Sequence, residues 1–475
     1  MKSYRQSMLV DFYELTMANG YFLENMQNEI VYFDLYFRNT PDKGGYALFV
    51  GLESIIDFID NFKFTDDDIS YLRDQNLFDE RFLEYLKTFS FSGDIYSFVE
   101  GSVMFPNEPI LTVKAKLIEA QIIETFLLQT INHQSLIATK SSRIKYAAGK
   151  KTVLEMGARR AHGESSSILG ARAAYIAGID GTSNILADQL YKVPSGGTMA
   201  HSWVQLFDNE YEAFKTYAKH YPNNATFLVD TYDTLGSGVP NAIKVIKECL
   251  IPLKVKNYSI RIDSGDLTYL AKQARIMFDD AMLPECKIIV SNSLDEHLIK
   301  TLLSQGAPID LFGVGERLIT AKSDPVFGSV YKLVALEKND IIIPKIKISD
   351  NIEKITTPHF KKVYRIYSRN NKAEADLITV YDEKIDESQS LKIFDQISTW
   401  KTKTFDDYYV KEMQQTIYKD GKRVYELPSI KKIREFASSE LDSLWEEVRR
   451  FDYPHKYYVD LSKKLWDIKQ SLIKR

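Results

Sequence analysis

Residues 258–266 read Tyr258-Ser259-Ile260-Arg261-Ile262-Asp263-Ser264-Gly265-Asp266, a short β-forming run that stops at Ser-Gly-Asp and gives way to a helical pattern from Leu267. The same grammar recurs from about residue 150, at intervals of roughly 20 to 30 residues. The other runs are TVLEMG (152–157), AGIDGT (177–182), the stretch leading to SGGTMAHS (195–202), TFLVDTY (226–232), KIIVSNSLDE (287–296) and DLFGVGE (310–316). Each ends in Gly, Asp, Ser or Thr and precedes a helix-like stretch. Strands that alternate with helices pair in parallel, and about seven such units without a GxGxxG opening favour a closed or nearly closed α/β barrel.

Outward from these units the pattern changes. Toward the N-terminus, helical spacing over 8–24 (Leu9, Phe12, Leu15, Met17, Tyr21) precedes an alternating strand at 30–38. A helix over 47–61, two short helices within 66–88, β-structure over 93–115 and a long amphipathic helix over 116–131 complete an α+β domain with an antiparallel sheet. Beyond about residue 330, the segments VYKLVAL, IIIPKIKIS, KVYRIYS and ADLITVY are β-like, and helices with charged outer faces are expected from about 406. The expected division is an α+β domain over 1–140, an about seven-unit α/β barrel over 141–335, and a C-terminal segment over 336–475, β-rich then helical, that folds back on the N-terminal sheet as a shared or third domain.

Bulk properties exclude several classes. A chain of 475 residues exceeds one hydrophobic core. Its net charge of -4, with Lys and Arg interspersed among Asp and Glu, offers no basic field for nucleic acid. Cys249 and Cys286 match no CxxC or zinc spacing, which suits a reducing compartment, so a cytoplasmic protein is expected. Asp11 and Glu14 interrupt the apolar run a signal peptide needs, and no stretch of roughly 18 apolar residues offers a membrane span. Walker, HExxH and nucleophile-elbow motifs are absent from the sequence.

In barrels of this kind the active site is assembled from loops that follow the strands. The polar residues gather there: Arg159 and Arg160, Thr182 to Asn184, Thr198 to Ser202, Asp230 to Asp233, Arg261 to Asp266, and Gly313 to Glu316. His201 stands in a segment of small and hydroxyl residues, which let a ligand approach, and imidazole suits a base or nucleophile near neutral pH. A hydrogen-bonded surface histidine is the plain alternative. The paired guanidinium groups of Arg159 and Arg160 follow a buried-looking strand and suit a carboxylate or phosphate, unless an internal salt bridge takes them. Arg261 and Asp263 alternate on one strand and so share a face. Asp266 is placed to cap a helix, whereas Asp263 lies earlier and suits a sugar hydroxyl or a metal-bound diphosphate. Asp230 and Asp233 put two carboxylates at another strand end, and the GxG of Gly313 and Gly315 offers backbone amides to an anion.

These residues also carry a resemblance. The chain resembles the nicotinate phosphoribosyltransferases through Asp11-Phe12-Tyr13-Glu14-Leu15-Thr16-Met17, Gly44-Gly45-Tyr46, Gly157-Ala158-Arg159-Arg160-Ala161, Gly181-Thr182-Ser183-Asn184, Gly197-Thr198-Met199-Ala200-His201-Ser202, Arg261-Ile262-Asp263-Ser264-Gly265-Asp266 and Gly328-Ser329-Val330-Tyr331-Lys332-Leu333. The resemblance implies joining of nicotinate to 5-phosphoribosyl 1-diphosphate, giving nicotinate mononucleotide and diphosphate in NAD salvage. It also implies coupling to ATP hydrolysis, a Mg²⁺ requirement, an incomplete barrel beside an open sandwich, and a homodimer with shared active sites. Carried over by motif, His201 is expected to be phosphorylated by ATP and Asp263 to act at ribose and metal. Arg261 with Thr198 is expected to hold nicotinate, and Arg159 and Arg160 to lie at base and sugar. Asp230 and Asp233 would stand near the metal, Gly313 and Gly315 at the 5-phosphate, and Tyr13 would stack on the pyridine ring from the neighbouring subunit. Ser183 stands where nicotinamide-using relatives place an Asp, so it suits the acid. Two positions depart from the pattern: Met156 replaces a frequent Phe, and Glu316 replaces a hydroxyl residue, which would repel phosphate unless it turns away or pairs with Arg317 or Lys322. Nicotinamide or quinolinate phosphoribosyltransferases, and a non-catalytic nicotinate-binding sensor, are the alternatives.

Overall fold

The computed structural model describes residues 6–351 and 354–474. The described chain divides into two compact units, one reaching to Leu136 and resuming at Val326, the other Ile137–Pro325.

The second unit holds the parallel sheet. Its strands are β1 (Thr152–Glu155), β2 (Gly181–Thr182), β3 (Ala225–Leu228), β4 (Tyr258–Ile262), β5 (Lys287–Ser291) and β6 (Leu311–Val314). They pair in the order β2-β1-β6-β5-β4-β3, all parallel. The first strand therefore lies beside the last, as barrel winding requires, and the sheet stays open between β2 and β3. That opening is where the sequence suggested a further unit, in the stretch leading to 195–202. The segment supplies only a single parallel bridge, Thr182 to Ser195. The reason is local: Ser-Gly-Gly has no β-branched or large side chain to pack on a pleated surface, and glycine loses the most backbone freedom when fixed. Elsewhere the apolar runs behave as read. Ala225–Leu228 is buried along its whole length, as a strand covered on both faces should be.

Turn chemistry at the strand ends is equally legible. Asn184, Asp266 and Asp295 each cap the following helix by accepting from its first-turn amides, so the capping role read for Asp266 is observed.

The first unit is built on a seven-stranded antiparallel sheet. Ile30–Phe37 lies between Ser329–Lys338 and Leu111–Lys116, with Leu35 opposite Tyr331 on one side and Leu111 on the other. N-terminal and C-terminal segments thus share one sheet, whose far edge is Gln415–Lys419 and Lys422–Arg423. A second, four-stranded sheet runs in the order Tyr408–Glu412, Lys361–Ser368, Ala373–Val380, Val459–Leu461. Three expectations need correction here. The helix expected over 47–61 begins only at Leu52, after the two-residue strand Ala47–Leu48 and Gly51 at φ +127°. The helix expected over 116–131 is two helices, Leu117–Ile122 and Glu124–Ala148. Helices do not begin near 406: residues 402–423 are strands and turns, and the C-terminal helices start at Ile430. Short alternating runs punctuated by Asp406-Asp407 and Asp420-Gly421 are strand-and-turn grammar, which outweighed their charge content, and Asp420-Gly421 joins the hairpin of Gln415–Lys419 with Lys422–Arg423.

No helix among the described residues is long and apolar enough to cross a membrane.

Candidate active site

The loops after β3, β4 and β5 and the segment 198–201 converge through side chains. Arg261 is the centre. It stands on β4 with its side chain 14% exposed, and its Nη1 donates to Thr198 Oγ1 at 2.6 Å and more weakly to the Met199 carbonyl at 3.4 Å. Its Nε is buried with no partner, and its Nη2 lies 3.7 Å from Asp263 Oδ1, beyond hydrogen-bond length. One edge of the guanidinium is therefore hydrogen-bonded to protein, while the other makes no hydrogen bond among the described residues and has only the ion pair to Asp263.

His201 is the first residue of a short helix, His201–Gln205. Its Nδ1 lies 3.1 Å from Thr231 Oγ1, while Nε2 faces Asp263 Oδ2 at 4.0 Å. Thr231 sits inside the Asp230–Asp233 stretch, so the loop after β3 orients the imidazole. Asp263 is fixed from two directions: Ser291, at the end of β5, donates to its Oδ1, and its own amide donates to Asp230 Oδ2 at 3.0 Å. Ser264 Oγ also donates to Asp230 Oδ2, at 2.6 Å, which leaves Asp230 Oδ1 buried and without a partner. Asp233 has a different posture. Its Oδ1 accepts from the amides of Leu235 and Gly236 and caps the turn Thr234–Gly238.

A second group surrounds the end of β1. Gly313 is pinched: a β-carbon there would lie 2.7 Å from Met156 Sδ and 3.3 Å from Ser291 Cβ, so a larger residue would force the Met156 side chain to move. Gly315 approaches the Met156 carbonyl in the same way, at 3.0 Å. The Glu316 carboxylate pairs with Lys322 Nζ at 2.6 Å, and Arg317 pairs with Asp295. Hydrogen bonding to Lys322, with the charges of Lys322, Arg160 and Arg317, holds the Glu316 carboxyl below its ordinary range. Of the two ways Glu316 was expected to avoid repelling an anion, pairing with Lys322 is the one found.

Arg159 and Arg160 lie on a single turn, Ala158–Arg160, and both are exposed. The strand before them, β1, ends at Glu155, and the chain has already turned outward at these residues. No side-chain hydrogen bond or ion pair engages either residue among the described contacts. Ser183 is also exposed, with its amide donating to the Glu155 carbonyl at 2.8 Å. Tyr13 belongs to the first unit, on the helix Phe12–Leu23, and is 44% exposed.

Sequence reasoning passed over Ser291 and Glu155, and gave no separate role to Thr231 and Ser264 within the groups Asp230 to Asp233 and Arg261 to Asp266. Each sits at or just beyond the last residue of a barrel strand, so position alone was the available signal.

Matches to known proteins bear on this arrangement. Family models for the nicotinate phosphoribosyltransferase N-terminal domain, the nicotinate phosphoribosyltransferase family and the nicotinate phosphoribosyltransferase C-terminal domain match residues 8–132, 152–385 and 360–469. The nicotinate phosphoribosyltransferase of Bacillus subtilis (strain 168) is 46% identical over 468 residues, covering 98% of this chain and 95% of that protein. The Caenorhabditis elegans enzyme of the same name is 34% identical, covering 98% and 93%. Among solved structures, human nicotinic acid phosphoribosyltransferase superposes with a TM-score of 0.87 at 28% identity, covering 98% of this chain and all of that one. Nicotinate-nucleotide pyrophosphorylase from Pyrococcus furiosus, at 22% identity and a TM-score of 0.71, shares the fold. With an open parallel barrel, a sandwich assembled from both ends of the chain, and relatives of this identity across nearly its whole length, the chain belongs to the nicotinate phosphoribosyltransferase family.

Proposed function

We propose that the protein joins nicotinate to 5-phosphoribosyl 1-diphosphate in NAD salvage, releasing diphosphate, and couples the reaction to ATP through phosphorylation of His201. The observation that carries this reading is the half-committed guanidinium of Arg261. Thr198 and Met199 hold its Nη1, while the Nε–Nη2 edge has no hydrogen-bond partner among the described residues. That edge has the planar two-donor geometry that matches a carboxylate, the group that distinguishes nicotinate from nicotinamide. Exposed Ser183 adds no negative charge that would oppose it.

His201 supports the coupling. With Nδ1 held by Thr231, Nε2 is the nitrogen left to attack. The γ-phosphoryl group moves to Nε2 as its bond to the ADP oxygen breaks, and water later releases inorganic phosphate. The added charge beside Asp263 then shifts the loops that hold the sugar diphosphate. Asp263 takes ribose hydroxyls. Gly313 and Gly315 present backbone to the 5-phosphate, and Arg159 and Arg160, free of internal partners, cover base and sugar. The bond change needs positioning more than covalent help, because C1 becomes cationic as diphosphate departs.

Among the described residues no three of His, Cys, Asp and Glu are gathered as a metal cage. The orphaned Asp230 Oδ1 fits Mg²⁺ carried on the diphosphate, with Asp233 nearby in sequence, and Mg²⁺ bound in this way supplies neutralisation of the leaving group. Exposed Phe12, Tyr13 and Met17 on the first helix suit a homodimer in which Tyr13 stacks on the partner's nicotinate. The free cysteines suit a cytoplasmic location.

The test is diphosphate release from protein, sugar diphosphate, Mg²⁺ and ATP with nicotinate, nicotinamide or quinolinate as third substrate. Turnover confined to nicotinate and raised by ATP is expected. No product with nicotinate overturns the reading.

A further inference from the structure

The end of β1 carries a carboxylate that none of the proposed chemistry uses. Glu155 has no exposed surface, yet both its oxygens are engaged by neighbouring loops. Oε1 accepts from the Gly157 amide, at the root of the turn that bears Arg159 and Arg160. Oε2 accepts from Thr182 Oγ1 at 2.6 Å, and that hydroxyl in turn accepts from the Asn184 amide at 3.0 Å. Ser183 lies between these two residues, and its own amide donates to the Glu155 carbonyl at 2.8 Å. Thr182 extends the reach further, because its amide donates to the Pro194 carbonyl and its carbonyl accepts from Gly196, both at 2.9 Å, at the start of the segment leading to Thr198 and His201.

Close packing fixes the other side. A β-carbon on Gly157 would lie 2.7 Å from the Gly315 carbonyl oxygen and 2.8 Å from Glu155 Oε1, so the Arg-bearing turn is pressed between the buried carboxylate and the loop of Gly315. Burying an ionisable side chain at a strand end is unfavourable unless its hydrogen bonds are complete, and here each oxygen has a donor.

We infer that Glu155 is a positioning residue of the active site: one buried carboxylate sets the spacing between the Arg159–Arg160 turn and the Ser183 turn, and so aligns sugar-binding and base-reading loops together. The inference rests on the function proposed above for those loops, but the clamp itself has a readout that needs no activity.

Two substitutions isolate it. Glu155→Gln keeps the shape but has one acceptor oxygen for two donors. Thr182→Val removes only the hydroxyl, and Thr182→Ser restores it. Trypsin cleavage after the exposed Arg159 or Arg160 reads how firmly the turn is held. About tenfold faster cleavage is expected in Glu155→Gln, with Thr182→Ser at the wild-type rate. Steady-state kinetics should show KM for nicotinate and for the sugar diphosphate rising together, about tenfold, in Glu155→Gln, while Thr182→Val raises KM for nicotinate alone. Wild-type cleavage rates and unchanged KM values in a folded Glu155→Gln protein overturn the clamp. If Glu155→Gln does not fold, the Thr182→Val and Thr182→Ser pair decides it by the same KM comparison. Wild-type protein inactive with nicotinate defeats the proposed function instead, and the trypsin comparison still decides the clamp.

Discussion

Replacing Arg261 with lysine tests the centre of the site. The positive charge remains, but the planar fork does not, and the substitution acts on a side chain only 14% exposed, where a lost contact is poorly replaced by water. The guanidinium has two jobs. Nη1 holds Thr198 at 2.6 Å, and the Nε–Nη2 edge is assigned to the nicotinate carboxylate. A lysine ammonium can keep one charged contact and must give up at least one. A hydrogen bond to a charged group is worth about 2 kcal/mol net, which at 1.4 kcal/mol per decade is a loss of about thirtyfold in kcat/KM for nicotinate. The assay is the initial rate of diphosphate release at subsaturating nicotinate, with far-ultraviolet circular dichroism to establish folding. KM for the sugar diphosphate should move much less. If folded Arg261→Lys keeps nicotinate kcat/KM within about twofold of wild type, the carboxylate does not sit on this edge and the assignment fails.

Other outcomes follow from the same geometry. His201→Ala should remove ATP stimulation and leave a slow ATP-independent reaction, measured as diphosphate release with and without ATP; loss of both would show that the imidazole acts in the transfer itself. Ser183→Asp should lower nicotinate turnover sharply by placing a carboxylate beside another, and unchanged kinetics would remove Ser183 from the specificity argument. In the first unit, Arg365 is fully buried and holds Asp376 through two nitrogens and Glu440 through a third. Arg365→Met strands those carboxylates, a loss of about 3–5 kcal/mol, so calorimetry should show the melting transition fall by on the order of 10 °C; a shift below about 2 °C would refute it. Burial, with Glu124 and Asp11 nearby, pushes the Glu14 carboxyl up to about 8, against the bond from Thr125. The folded protein then holds a proton that the unfolded chain releases near pH 4.5, so this group's stabilisation is full below that value and is lost as pH rises through about 8. The urea midpoint should therefore fall between pH 6 and 8.5 more steeply in wild type than in Glu14→Gln, and equal slopes would contradict the shift.

Much of this protein is written locally. Apolar runs stopping at Ser-Gly-Asp or Asp-Thr-Tyr specify parallel strands with polar ends, because side-chain burial and turn chemistry act over a few residues, and the helix caps Asn184, Asp266 and Asp295 follow from the same short-range hydrogen bonds. The approximate membership of the site was legible for that reason. What failed locally was the strand expected to lead into 195–202, since a Gly-Gly segment can pair only where a neighbouring edge is offered and here Thr182 offers one bridge to Ser195. Tertiary structure alone decided which edge of Arg261 lacks a hydrogen bond, that Thr231 turns His201 toward Asp263, and that Arg159 and Arg160 project outward with no internal salt bridge among the described residues. It also decided that Glu155, an unremarked acid in a strand, ties two loops. These depend on distances between residues 27 to 63 positions apart, such as Glu155 to Thr182 and Thr198 to Arg261, which close only when the β/α units wind into one sheet.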